Sequence, residues 1–296
     1  MRTCLVLLAA AACGGGSSAG QVPDGGPDGG SGGVDLFGQV IVRDVRARSL
    51  VWPPTGAAVE AWFSADGRFA WHTETAAVGA CRLLEFDPGF CDDPCDGVCR
   101  APDVCEPWPS YQLAGALTVE GGAEEITVTP TPSGEYLYYG AFDDDFFGEG
   151  DVLTMSFAGA EVTRFEAHGT GPAAIAAADP MEGEVTLDLP WEGDFVFEWD
   201  DPSPGASIRA RLIAGGNAHG QPNPFVIECE APDTGSITVP GELLSRVGAI
   251  GFGGAKGRDR SAFEVTRYVS TDLELPGGIV QAIVGRTFVY GAQRIE

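Results

Sequence analysis

Eight cysteines are the residues of this chain with the most chemistry in them. Six fall in the body: Cys81, Cys91, Cys95, Cys99, Cys105 and Cys229. Four of these crowd into Cys91-Asp-Asp-Pro-Cys95-Asp-Gly-Val-Cys99-Arg-Ala-Pro-Asp-Val-Cys105, a run rich in Asp and poor in apolar side chains. Such a segment has no core of its own, so cross-links are what can fix it. The rival is a zinc site of four cysteines, but these spacings are not the paired C-x2-C of zinc ribbons, and thiols in an oxidising compartment form disulfides first. The expectation is three disulfides, with Cys91, Cys95, Cys99 and Cys105 joined mainly among themselves and to Cys81, and Cys229 buried in a strand.

The densest set of carboxylates is Asp143, Asp144, Asp145, Glu149 and Asp151, interleaved with Phe142, Phe146, Phe147, Gly148 and Gly150. Calcium takes six to eight oxygens, and these five could supply most of them if the backbone turns within the run. Calcium is therefore a possible ligand, the phenylalanines pinning the loop to a sheet while the acids face outward. The bland reading is a solvated loop between two strands. No other cofactor is expected. The three histidines, His72, His168 and His219, form no H-E-x-x-H, and no G-x-S-x-G elbow is present. The glycine-rich stretch Gly248 to Gly257 lacks the spacing and the ending of a phosphate loop. No catalytic residue is predicted.

The elements that must carry these residues begin with a leader. Met1-Arg2, then Leu5-Val6-Leu7-Leu8 and Ala9 to Ala12, end at Cys13, an apolar run too short to span a bilayer. Residues 1–12 read as a signal peptide and Cys13 as the lipidation site. Residues 13–33 (Gly-Gly-Gly-Ser-Ser, then Asp-Gly-Gly repeats) form a disordered Gly/Asp/Pro tether that cannot repay the entropy of ordering. Acyl chains on Cys13 would give stable anchoring.

Beyond residue 33 short apolar runs alternate with turn residues, and helical periodicity is almost absent. The pattern predicts an all-β chain built as an antiparallel β-sandwich, Ig-like or jelly-roll-like. Two sandwiches are expected, 34–178 with the Cys-rich insertion 81–105, and 179–296; no sequence repeat relates the halves, so a single interleaved sandwich is the alternative. Ser207 to Ile213 alternates with Ile208, Ala210 and Leu212 on one face and Arg209 and Arg211 on the other. Acids number 43 against 17 bases, a formal charge of −26, which repels nucleic acid. The expected function is a membrane-anchored extracytoplasmic binding or structural module, with a protein or glycan partner and a membrane contact through the lipid alone. The alternative is a carbohydrate-active enzyme or other hydrolase on the same scaffold.

The order Phe147-Gly148-x-Gly150-Asp151-x-Leu153, Gly159-x-x-Val162-x-x-Phe165, Phe195-x-Phe197-x-Trp199, Ile227-x-Cys229 and Gly235-Ser236-Ile237-x-Val239-Pro240-x-x-Leu243-Leu244 resembles uncharacterised myxobacterial cell-surface lipoproteins. The likeness covers roughly Leu113 to Leu244. It implies a lipobox, although Ala10 stands where leucine is usual, and a β-sandwich body lipid-anchored at the outer membrane or cell surface. It implies no activity.

Overall fold

The computed structural model describes residues 36–47, 55–65, 67, 70–87, 89, 91–142, 144–175, 186–190, 192–215, 222–247 and 261–294. Cys13, the tether, His219, Gly248 to Gly257 and the junction at 178/179 lie outside them. The described chain is all-β with one short helix, in antiparallel-dominated sheets packed as sandwich-like bodies.

A ten-stranded sheet organises the molecule. Its order is β3 (Thr73–Val78), β4 (Cys81–Glu85), β15 (Phe225–Pro232), β14 (Ser207–Ala214), β17 (Ser261–Leu275), β18 (Gly278–Arg294), β1 (Leu36–Ala47), β2 (Gly56–Phe63) and β9 (Tyr136–Ala141). The tenth strand, β12 (Thr186–Leu189), runs parallel to the end of β18, whose earlier part pairs in parallel with β1. A four-stranded sheet follows the order β11 (Phe165–Thr170), β10 (Val152–Phe157), β7 (Leu117–Glu120), β8 (Ile126–Val128). Two small ribbons complete the strands: β13 (Phe195–Glu198) with β16 (Ser236–Val239), and β5 (Gly97–Ala101) with β6 (Val104–Pro107). The helix α1 (Gly241–Val247) buries Leu243, Leu244 and Val247.

Strands from both sides of residue 178 share the large sheet, which corrects the expected division into two separate sandwiches. One sheet carries two cores. The first sets Val40, Val42, Val59, Phe63, Val280 and Val284 against Leu117, Val119, Leu153, Met155, Phe157 and Phe165 of the four-stranded sheet. Phe63 meets Phe157 edge-on at 5.1 Å, and Phe157 stacks on Phe165 at 4.6 Å. The second sets Leu83, Ile208, Leu212, Ile227, Phe263 and Tyr290 against Phe197, Ile237, Val239 and α1. Period-two alternation explains how one hairpin serves both. On β18, Val280, Ala282 and Val284 enter the first core, and Phe288, Tyr290 and Ala292 enter the second from the same face. On β17, Phe263 and Val265 enter the second, while Leu273 and Leu275 pack on the first.

Between the cores that face carries Arg286 on β18 and Arg267 on β17, which are direct register partners. Like charges placed opposite each other destabilise a sheet unless each finds its own counter-charge. Arg267, 0% exposed, pairs with Asp233 (Nε to Oδ2, 2.7 Å) and donates to the carbonyls of Ala174 (2.8 Å) and Asp201 (2.9 Å). Arg286 donates to the carbonyl of Pro172 (3.0 Å) and to that of Phe147, and pairs with Asp44 (3.3 Å) and Asp145 (2.8 Å). The segment after β11 therefore steps from the first core to the second across two guanidinium groups, and Ile175 is buried in the second. Close approach is needed here: a Cβ on Gly169 would meet Val284 Cγ2 at 2.4 Å.

The opposite face of the large sheet carries a charge ladder. Arg82, Glu228, Arg211 and Glu264 are register neighbours on β4, β15, β14 and β17. Arg82 reaches Glu228 at 2.8 Å, and Arg211 reaches Glu264 at 3.3 Å. Beside it, Arg209 pairs with Glu230 at 2.8 Å. Alternation along β14 was legible, but Arg209 and Arg211 are buried rather than solvated, because each meets a carboxylate across the ladder.

Candidate functional site

The acidic run lies between β9 and β10, where its aromatic residues decide its course. Phe146 and Phe147 are buried in the first core and Phe142 packs on its edge, as the loop-pinning expectation had it. Of the five carboxylates expected as calcium ligands, Asp145 and Asp151 are engaged elsewhere in the described structure. Asp145 turns back to the body, where Arg286 and Arg46 both bind it. Asp151 accepts a hydrogen bond from the Gly148 amide at 2.6 Å, closing the turn that precedes β10. Asp144 and Glu149 are exposed, and Asp143 lies outside the described residues. Among the described residues, no three or more His, Cys, Asp or Glu side chains stand in a metal-binding arrangement.

Asp145 instead completes an ion-pair cluster with Asp44, Arg46 and Arg286. Burial pushes the Asp44 carboxyl above its ordinary range, with Asp145 adding to the effect and Arg46 and Arg286 opposing it. For Asp145, burial acts upward too, but Arg286 and Arg46 outweigh it and hold the carboxyl below the ordinary range. Arg46 and Asp44 sit two residues apart on β1, and one-face projection at that spacing brings both to the loop. No signal in the sequence joins Asp145 to Arg286, 141 residues away.

The second site is the cysteine-rich ribbon. Cys91 bonds Cys99 and Cys95 bonds Cys105, so the four clustered cysteines pair among themselves. Cys81 does not join them. It bonds Cys229, directly opposite it on the paired strands β4 and β15. This corrects the expected partner of Cys81: a short separation in sequence counts for less than strand register. Asp103 takes a positive φ of 58° at the turn of the β5–β6 ribbon. Arg100 pairs with Glu106 and donates to the carbonyls of Trp71 (2.8 Å) and Ala70, docking the ribbon on the loop before β3. Trp71 then meets Trp108 at 5.4 Å and Phe86 at 6.3 Å. Trp108 is 48% exposed and Val104 53%. Asp92, Asp93, Asp96 and Asp103 are exposed around them. The result is an aromatic and acidic knob, held rigid by two disulfides. The tryptophans carried no periodic spacing, so nothing in the sequence marked Trp71 and Trp108 as neighbours.

Of the described histidines, His72 borders the second site, its ring 6.1 Å from that of Phe86. His72 is buried, with Nε2 2.8 Å from the Asn223 carbonyl oxygen, and His168 lies 3.2 Å from the Thr154 hydroxyl on the four-stranded sheet. A shallow cleft of about 630 Å³ lies between Tyr111, Leu113, Pro132, Ser133 and Glu161, and the Glu161 carboxylate there accepts from the Leu113 amide at 2.8 Å.

No family model matches the chain, and no curated protein matches it. Among solved structures, the chain is similar to one described as "Structural insight into host cell surface retention of a 1.5-MDa bacterial ice-binding adhesin". The identity is 8% and the TM-score 0.20, over 88% of this chain and 65% of that one. The chain thus spans just under two thirds of that structure's length.

Proposed function

We propose that this protein is an exported lipoprotein, anchored to the bacterial envelope through acylated Cys13, whose β body is a binding or structural module without catalysis of its own. The observation that carries the reading is the state of its cysteines. All six body cysteines are joined in three disulfides, two of them holding a ribbon with little core of its own. Bonds of that kind persist in an oxidising compartment, outside the cytoplasm. The knob around Trp71 and Trp108 is the surface best suited to a protein or glycan partner, because aromatic side chains give contact area at low conformational cost.

The test is metabolic labelling with an alkyne-bearing fatty acid. The full-length protein is expected to take up label and sediment with membranes. Cys13→Ala is expected to lose the label and sediment no longer. An unlabelled wild-type protein, or label that survives Cys13→Ala, would refute the anchor.

A further inference from the structure

In the anchored reading, any pull between the envelope and the body reaches β1 first, because the tether leads directly into Leu36. We infer that β1 is a shear clamp, which lets the tethered body carry mechanical load without unravelling from its anchored end.

Its placement is the first reason. β1 lies inside the ten-stranded sheet, not at its edge, with β18 on one side and β2 on the other. The parallel register with β18 runs from Leu36↔Ile279 to Ala47↔Val289, and the antiparallel register with β2 from Gly38↔Phe63 to Val45↔Gly56. Direction is the second reason. Since β1 and β18 are parallel, the start of β1 and the end of β18 lie at opposite ends of the pair. A pull between those points runs along the strands, so the ladder bonds share the load and must fail together. A pull across the strands from one end breaks them one at a time.

Side chains add transverse ties. Arg43 binds Glu60 on β2, Asp44 binds Arg286 on β18 at 3.3 Å, and Arg46 binds Asp145 of the loop after β9. Phe37, Val40 and Val42 are locked in the first core. Sliding β1 by one residue would turn Val40 and Val42 out of the core and bring Gln39 and Arg43 towards it.

The structure also contains the control geometry. The β17–β18 turn at Pro276 lies at the same end as Leu36, since Leu275 pairs with Gly278 and Leu36 with Ile279. Single-molecule pulling on the unacylated chain would use Cys13 as one handle. The second handle would be a cysteine added after Glu296 in one sample and Pro276→Cys, an exposed site, in the other. The expected result is a severalfold higher unfolding force for the first pair of handles. Arg46→Met is expected to lower that force and leave the second unchanged. Equal forces in the two geometries would overturn the clamp. The anchor is judged separately: equal forces with Cys13 labelled would remove the clamp alone, and an unlabelled Cys13 with unequal forces would remove the anchor alone.

Discussion

Arg267 and Arg286 tie the junction of the two cores together, because each neutralises a buried acid and holds backbone carbonyls there. Removing one partner of a buried pair leaves the other charge uncompensated, at a cost of about 3–5 kcal/mol. Arg267→Met removes the counter-charge of Asp233, whose side chain is 0% exposed and keeps its hydrogen bonds from Trp199 Nε1 (2.8 Å) and the Ser203 amide (2.7 Å), and is expected to lose about that much in denaturant unfolding. The double change Arg267→Met with Asp233→Asn is expected to recover part of the loss, because the amide removes the uncompensated charge and keeps an acceptor for Trp199 Nε1, which donates to Asp233 at 2.8 Å. Acid separates the two aspartates beside Arg286. The Asp145 carboxyl is held low, so its contribution is present above the unfolded carboxylate range and disappears as pH falls through its folded value. Asp44 is held high, so its sign is reversed: stability declines as pH rises through its folded value. Asp145→Asn should therefore flatten the acid limb of a Tm-against-pH profile, while Asp44→Asn should steepen it. Because the Asp145 side chain is 56% exposed, its effect stays in the range of a surface pair, about 0.2–1 kcal/mol. Parallel acid limbs for both variants and the wild type would contradict these assignments.

At the level of elements, the two kinds of disulfide should behave differently. Cys81–Cys229 closes a sequence separation of 148 residues between adjacent strands of the second core. Replacing both cysteines by Ala is expected to cost about 2–5 kcal/mol. Cys91–Cys99 and Cys95–Cys105 span 8 and 10 residues in a ribbon outside both cores. Replacing those four by Ser should speed hydrogen exchange across the ribbon and leave the Tm of the body nearly unchanged. Global destabilisation by the second set would show that the ribbon is part of the core. The sequence disclosed the strands that bury one face, such as β11, whose residues alternate buried and exposed throughout. It concealed β3, an edge strand of Thr-Glu-Thr-Ala-Ala-Val with no buried position, and it concealed β5 and β6 beneath Pro, Asp and Cys. Local composition marks a strand only where burial imposes a period, and these segments are held by pairing and covalent bonds instead. The same limit applies to the sites. The acidic run and the cysteine cluster were visible as groups, but their partners Arg286, Arg46 and Trp71 come from other strands and loops, and only the sheet order brings them near.

For the whole molecule, the sheet order sets what can fold alone. A division at 178/179 would leave β1, β2, β9 and the four-stranded sheet in one piece, and β14, β15, β17 and β18 in the other. The first piece would lose β18, the parallel partner of β1, together with Val280, Ala282 and Val284 from its core. It would also lose β15, the partner of β4, and with it the Cys81–Cys229 bond. The second piece keeps the long β17–β18 hairpin, but it bares the edge of β18 that β1 covers and strips the apolar half of its face. An uncovered edge beside an exposed apolar face invites association. Fragments 34–178 and 179–296 are therefore expected to aggregate or remain unfolded when expressed apart, and to form a one-to-one complex when expressed together. The intact body should melt in a single calorimetric transition, because no core can be lost without opening the sheet that both share. Size-exclusion chromatography and circular dichroism of the fragments provide the check. Two monomeric, folded halves that ignore each other would mean that the shared sheet does not couple the cores, and that β1 needs neither β18 nor the arginine junction to hold its place.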